Sequence, residues 1–161
     1  GITSAPNSTY LHMVSTIGVN NGITCSSYQA ADGTCATNEN NFTRMTNDIS
    51  TVGYTGVSLD FWWICGGAAT IFGEVYYSLD GGTTWNLHQT NMNNQSTWVQ
   101  ANMTNALWDN QATLRFGFRF VNSSTLSAAE PGFSIDDIMI QGTSGGGGSN
   151  TPGCVVRRDL G

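Results

Sequence analysis

The fold of this chain is decided at residues 78–85, which read Ser-Leu-Asp-Gly-Gly-Thr-Thr-Trp. The stretch stands between two runs typical of β-strands, Glu-Val-Tyr-Tyr at 74–77 and Asn-Leu-His at 86–88. Gly81 and Gly82 can adopt the positive φ that tight hairpin turns require. Two strands that meet at such a turn are antiparallel neighbours, so the stretch predicts a β-hairpin.

The segments around this hairpin also have the period of strands. In residues 57–65 apolar side chains occupy every second position, and in residues 114–121 Leu114 and three phenylalanines alternate with Arg, Gly, Arg and Val. Alternation of this kind is typical of a strand with one face in a core, whereas no segment keeps a helical period. About eight such short strands, separated by turn residues, predict an all-β fold, an antiparallel β-sandwich of the jelly-roll type.

The last strand, at residues 132–142, breaks the period of two. Ile135 and Ile138 are three positions apart, so they cannot share a face in an unbroken strand. A β-bulge at Asp136 and Asp137 would restore the register and turn one carboxylate in a new direction. We therefore predict a sandwich domain at 1–143, followed at 144–161 by a Gly-rich linker and C-terminal tail.

Composition limits the classes of partner. The chain has 161 residues, only 10% of them charged, with no Lys, five Arg and a net charge of −6. Nucleic acids and anionic membrane surfaces attract basic proteins, so both are excluded as partners, and no apolar run is long enough to insert into a membrane. The uncharged surface of Asn, Thr, Ser, Gln and Gly favours an exported, extracellular or cell-surface protein. Because the chain starts without Met, we expect a piece of a longer protein.

Four cysteines allow three pairings. Cys25 and Cys35 flank a loop-like stretch, and we predict a disulfide that closes it. Cys65 ends a strand and Cys154 lies in the tail, so a second disulfide between them would attach the tail to the sheet. The alternatives are a free, buried Cys65 and a Cys154 that pairs with another chain. Zinc is excluded, because the chain has no Cys-x-x-Cys and only two scattered His.

Aromatic and acidic residues are the candidates for binding and catalytic sites. Trp62, Trp98, Trp108 and Tyr76 form a glycan platform if at least two of their rings share an exposed surface, and pack in the core if they do not. Glycoside hydrolysis needs two carboxylates that face one sugar, whereas adjacent acids on a strand point to opposite faces. The two histidines are isolated and no nucleophile motif is present. We therefore predict that the chain is not an enzyme and has no catalytic residues.

By spacing, residues 78–85 are similar to the Asp-box, a hairpin motif of sialidase propellers, reelin-type repeats and bacterial surface jelly rolls. The motif is structural in those families. The resemblance implies that short polar side chains hold the turn to its own backbone while a Trp enters the core. A propeller would repeat the motif, which occurs here once. The matching positions are Ser78, Asp80, Gly82, Thr84 and Trp85.

A wider resemblance covers residues 10–142. The most specific stretches are the Asp-box and Gly-Phe-Ser-Ile-Asp-Asp-Ile at 132–138, supported by Val-Ser-Leu-Asp-Phe-Trp at 57–62. Together they resemble the cleaved-adhesin or MAM-like jelly-roll domain of exported bacterial surface proteins. That family usually opens with an acidic strand containing a Phe-Glu pair, which this chain lacks.

The same resemblance implies a structural calcium ion. Calcium prefers six to eight oxygen ligands. Asp136 or Asp137 would be a ligand, and Asp60, Glu39 and Asn40 would assist with loop carbonyls. Alternatively, Asp136 and Asp137 only accept hydrogen bonds from backbone donors at the bulge.

Taken together, these observations predict a non-catalytic structural or adhesive module of a bacterial surface protein, such as a filament or multidomain adhesin subunit. Its partners would be neighbouring domains or copies of the same protein, because a missing first strand leaves a sheet edge that another strand can pair with. The alternative function is a carbohydrate-binding module whose partners are surface glycans.

Overall fold

A computed structural model describes residues 6, 9–13, 39–122, 132–145 and 152–157. In this part of the chain the only helix is a 3-10 turn, and no helix is long and apolar enough to cross a membrane. All other regular structure is β-strand. The strands are β1 (Leu11–His12), β2 (Glu39–Arg44), β3 (Tyr54–Cys65), β4 (Ile71–Ser78), β5 (Asn86–Met92), β6 (Gln95–Thr104), β7 (Arg115–Asn122), β8 (Ser134–Ser144) and β9 (Pro152–Arg157), and the 3-10 turn is Ala106–Trp108.

The strands form two antiparallel sheets, which confirms the predicted all-β sandwich. The first sheet has the order β1-β8-β3-β6, with β9 also paired to β8, and the second has the order β2-β7-β4-β5. In both sheets most neighbouring strands are distant in sequence, such as β1 and β8 or β2 and β7. This is the strand order of a jelly roll, in which the chain crosses repeatedly between the two sheets.

The core lies between the inner faces of the sheets, where the alternation predicted it. Phe116, Phe118 and Phe120 of β7 are at most 2% exposed, and the ring of Phe61 on β3 packs edge-on against Phe118 at 5.2 Å between centroids. Edge-to-face packing places the positive ring edge against the negative ring face. Trp108 closes one end of the core, where it is fully buried against Phe116.

The predicted bulge is present in β8. Asp60 pairs with Met139 and Trp62 pairs with Asp136, so Phe61 of β3 alone stands opposite two residues of β8, Asp137 and Ile138. Asp137 takes a positive φ of 50° and its backbone N–H donates to Asp136 Oδ1 at 2.8 Å. The extra residue lets Ile135 and Ile138 both reach the core, and the Asp137 side chain is exposed.

The outer edge of β8 is paired with two separate segments of the chain. The short β1 pairs with residues 134–135, and β9 pairs with residues 139–143. Because β9 belongs to the tail, the first sheet extends beyond the domain end that we predicted at residue 143. The chain itself thus supplies strands to the edge at which we expected a missing strand.

The hairpin turn has the geometry expected of an Asp-box. Gly81 and Gly82 take φ values of 67° and 89°. Asp80 accepts hydrogen bonds from the backbone N–H groups of Thr83 at 3.0 Å and Thr84 at 2.9 Å, and from the Thr84 hydroxyl at 2.7 Å. These donors lower the pKa of Asp80 to about 2, because they stabilise its charged form.

Two further hydrogen bonds complete the turn. Ser78 Oγ accepts from the Gly82 N–H at 2.8 Å, and the Trp85 indole N–H donates to the Gly82 carbonyl at 3.1 Å. The Trp85 ring, however, is half-buried on the outer face of the second sheet. The expectation that it enters the core is therefore wrong. The position below it is Gly117, whose missing side chain leaves room for the ring outside the sheet.

The structure separates Cys65 from Cys154. Cys65 is a free, buried thiol at one end of β3, whereas the β9 backbone at Cys154 pairs with Gln141, which pairs in turn with Ser58 near the other end of β3. Seven residues of strand span about 20 Å, several times the Cα separation that a disulfide allows. The predicted Cys65–Cys154 disulfide is therefore not formed. Cys25 and Cys35 lie outside the described residues.

Candidate functional site

The three tryptophans of the predicted platform do not share one exposed surface. Trp108 is 0% exposed and packs against Tyr77, His88 and Phe116, so it belongs to the core and its assignment to a platform was wrong. Trp98 is only 7% exposed. Trp62 is half-buried on the outward side of β3. Packing in the core, the alternative to a platform, holds for Trp108, and Trp98 is buried as well.

The outer face of the first sheet carries Trp98 in a cluster with two N-terminal residues. Tyr10 stands edge-on to both Trp98, at 5.6 Å between centroids, and His12, at 6.2 Å. His12 Nδ1 lies 2.6 Å from Ser134 Oγ, and burial lowers the pKa of His12. The Trp98 indole N–H and His12 Nε2 are buried without a hydrogen-bond partner among the residues that the structure describes. The cluster covers the sheet rather than forming an open platform.

The five residues predicted to hold calcium lie on two different sheets. Asp60, Asp136 and Asp137 belong to β3 and β8, whereas Glu39 and Asn40 belong to β2. Within residues 39–122 and 132–145, no group of three or more His, Cys, Asp or Glu is arranged to hold a metal ion. The five residues together therefore do not form one ligand set.

Hydrogen bonds to the individual residues explain this mismatch. Asp60 already accepts from Asn102 Nδ2 at 2.5 Å and from Ser58 Oγ at 2.8 Å. Asn40 Oδ1 accepts from the positively charged Arg119 side chain at 2.6 Å, which is a poor position for a cation. The calcium ion itself stays a prediction.

The outer face of the second sheet carries a cluster of aromatic side chains that we call the aromatic face, made of Phe42, Tyr76 and Trp85. The Phe42 ring packs edge-on against Trp85 at 5.1 Å and against Tyr76 at 5.4 Å between centroids. Phe42 is 38% exposed, and Tyr76 and Trp85 are half-buried. Large apolar side chains on an outer sheet surface are typical of a contact site rather than of a core.

A glycine at the centre of β7 makes the aromatic face possible. Gly117 pairs with Arg44 on one side and with Tyr76 on the other. A Cβ atom at Gly117 would lie 2.6 Å from the Phe42 ring and 3.0 Å from the Trp85 ring. The two rings therefore rest on bare backbone, and any side chain at this position would push them apart.

A polar network borders the aromatic face. Arg119 Nη1 donates to Glu74 Oε2 at 3.0 Å and to the Tyr76 hydroxyl oxygen at 3.1 Å, while Thr90 donates to Glu74 Oε1 at 3.0 Å. Burial, followed by the hydrogen bond to Glu74, raises the pKa of Tyr76. These bonds hold the Tyr76 ring at its hydroxyl end, on one side of the aromatic face.

Three of the five arginines lie on this same outer face, but they differ in their partners. Arg115 pairs with Asp48 at 2.5 Å and Arg119 pairs with Glu74 at 3.0 Å. Arg44 is exposed and makes no ion pair or hydrogen bond with any described residue. Arg44 also borders a cavity of about 140 Å³ at this end of β2, whose other lining residues are Leu11, Thr43, Met45, Thr46, Phe116, Phe118 and Ile138.

The aromatic face could not be predicted from the sequence as one cluster, because its members come from distant strands. Phe42 and Tyr76 lie on β2 and β4, which are separated in the sheet by β7. The available signal was the alternation of Arg115, Gly117 and Arg119 on the outward side of β7. A glycine between two arginines on an otherwise regular strand indicates that something packs closely over it.

Comparison with models of known protein families finds none that matches this chain, and no curated protein matches its sequence. The resemblance to the cleaved-adhesin family therefore stays a prediction.

Proposed function

We propose that this chain is a non-catalytic, extracellular structural or adhesive module of a bacterial surface protein. The observation that carries this proposal is the way its acidic side chains are used. Five carboxylates accept hydrogen bonds within the domain and stabilise its strands and turns: Asp48, Asp60, Glu74, Asp80 and Asp109. A general acid or base needs a carboxylate that is free to exchange a proton with a substrate.

Asp109 illustrates this structural use of charge. Its two oxygens accept from the backbone N–H groups of Gly56, at 3.0 Å, and Val57, at 2.8 Å. These bonds hold the end of the 3-10 turn against the start of β3. A carboxylate that accepts from two backbone donors is held in a fixed position, which suits a rigid building block.

The end strands of the two sheets support the same proposal. Among the described strands, β6 ends the first sheet, and β2 and β5 end the second. Backbone groups of such edge strands can pair with a strand of a neighbouring domain or of a second copy. Such pairing is how we expect the module to join a filament or a multidomain adhesin.

A carbohydrate-binding module is the second candidate, and the aromatic face favours it. Sugar rings present apolar C–H groups on one side and hydroxyl groups at the rim. The aromatic face offers rings beside hydrogen-bonding side chains of Arg119, Glu74 and Thr90. This combination of apolar floor and fixed polar rim is typical of a ligand site.

A glycan array, probed once with calcium and once with EDTA, tests both candidates together with sedimentation of the protein over a concentration series. An adhesive module predicts selective array signals, self-association that rises with concentration, or both. Release of product from an arrayed glycan would contradict a non-catalytic module. A blank array together with a monomer at every concentration would contradict an adhesive one.

A further inference from the structure

We propose that the aromatic face binds a glycan that contains hexuronic acid, with a sugar ring stacked against Phe42 and Trp85 and its carboxylate paired with Arg44. This inference rests on the proposed adhesive function and adds the site and the ligand class.

The rings provide the stacking surface. Phe42 is 38% exposed and Leu87, which pairs with Tyr76 on the neighbouring strand, is 49% exposed. The Phe42 and Trp85 rings are nearly perpendicular, with 82° between their planes. Aromatic side chains of this kind lose little conformational entropy on binding, because the backbone of Gly117 and the neighbouring rings already hold them.

The charges select an acidic rather than a neutral sugar. Arg115 and Arg119 are each neutralised by a carboxylate, whereas Arg44 has no partner within the described chain. The register places Arg44 directly beside Gly117, over which the Phe42 and Trp85 rings lie. An exposed, unpaired guanidinium at the rim of a stacking surface, in a chain of net charge −6, is complementary to a carboxylate.

The spacing of these groups suits a single sugar unit. Paired residues on adjacent antiparallel strands have Cβ atoms about 5 Å apart. Arg44 therefore starts from the strand position next to the backbone on which the rings rest, so its side chain can reach a carboxylate on a sugar that stacks there. A longer acidic oligomer could continue across the strands toward Leu87, on the far side of Tyr76.

The experiment measures binding of two probes to the whole chain by calorimetry. The first probe is tetragalacturonate, and the second is its fully methyl-esterified form, which keeps the rings and removes the charges. We expect the charged probe to bind at least tenfold more tightly than the ester. NMR locates the site, because the amide of Gly117 and the indole N–H of Trp85 should shift with the charged probe.

Three variants separate the contributions. Arg44→Gln should weaken the binding of tetragalacturonate about tenfold and leave the affinity for the ester unchanged, because only the charged hydrogen bond is lost. Phe42→Ala should weaken both probes. Leu107→Ala removes an exposed apolar side chain at the end of the sandwich, 54% exposed, and should change neither, so it serves as the matched control.

The outcomes distinguish this inference from the proposed function. If tetragalacturonate shifts neither the Gly117 nor the Trp85 signal while other arrayed glycans bind or the protein self-associates, the hexuronate site is refuted and the adhesive module stands. Equal affinity for both probes, or full affinity in Arg44→Gln, would also overturn the proposal. If no glycan binds and the protein stays monomeric, both proposals fail.

Discussion

Replacement of Gly73 by Ala is the sharpest test of how the core is packed. Gly73 lies on the inner side of β4, and the Phe133 ring packs directly on its backbone across the core. A Cβ atom at this position would lie 2.5 Å from two ring carbons and 2.6 Å from a third. Phe133 is fully buried, so the ring cannot move out into solvent to make room.

The cost follows from the overlap. Carbon atoms in ordinary contact are about 3.5 to 4.0 Å apart, so the new methyl group overlaps the ring by about 1 Å. Overpacking of this kind costs up to about 3 kcal/mol. A Gly→Ala change also reduces the conformational freedom of the unfolded chain, which raises the free energy of unfolding by up to about 1 kcal/mol. We therefore expect the free energy of unfolding to fall by about 2 kcal/mol and Tm to fall by about 4 to 8 °C.

Urea unfolding and calorimetry of four proteins provide the assay: wild type, Gly73→Ala, Phe133→Leu and the double variant. Because Leu is smaller than Phe, the double variant should be about 1 kcal/mol more stable than the sum of the single losses predicts. Gly142→Ala is the control, since its Cβ would lie 3.2 Å from Val57 and 3.3 Å from Tyr54, contacts that small shifts can relieve. A Gly73→Ala protein as stable as the control, or strictly additive losses, would refute the packing argument.

Three further predictions concern ionisable groups. Burial raises the pKa of Cys65 to about 11, so iodoacetamide at pH 8 should label this thiol only after denaturant is added. Fast labelling of the folded protein would contradict the burial of Cys65. Burial lowers the pKa values of His12 and His88. The unfolded chain, whose His pKa is about 6.5, therefore binds more protons than the folded chain as pH falls through 6.5, and the free energy of unfolding should decrease. The His88→Gln variant should lose less stability over the same pH range. Asp80→Asn should lower Tm at pH 7. The difference in Tm from wild type should vanish as pH falls through about 2, where Asp80 is itself protonated. A difference in Tm that persists at lower pH would show that the charge of Asp80 is not the cause.

Much of the fold could be predicted because alternation reports directly on burial. Leu114, Phe116, Phe118 and Phe120 occupy every second position and are all at most 2% exposed. The bulge at Asp136 and Asp137 could be predicted because an irregular spacing of isoleucines has few other physical solutions in a strand.

The sites could be predicted less well, because they depend on which strands become neighbours. Trp108 was weighed for a platform because a sequence does not say what surrounds a short turn, and it lies instead in the core. Glu39 and Asp60 were placed in one ligand set, yet their strands belong to different sheets. The side of the sheet on which the Trp85 ring lies depends on Gly117, which belongs to β7 and is distant in sequence.

The sequence by itself determined the class of the fold, the hairpin at residues 78–85 and the inner faces of the main strands. These properties follow from local forces: positive φ at glycines, hydrogen bonds within a turn, and burial of every second side chain. Only the tertiary structure decided the strand order, the separation of Cys65 from the β9 backbone, and the aromatic face beside the unpaired Arg44. Those depend on pairing between strands far apart in the chain, for which many registers bury similar apolar area and only the packed whole selects one.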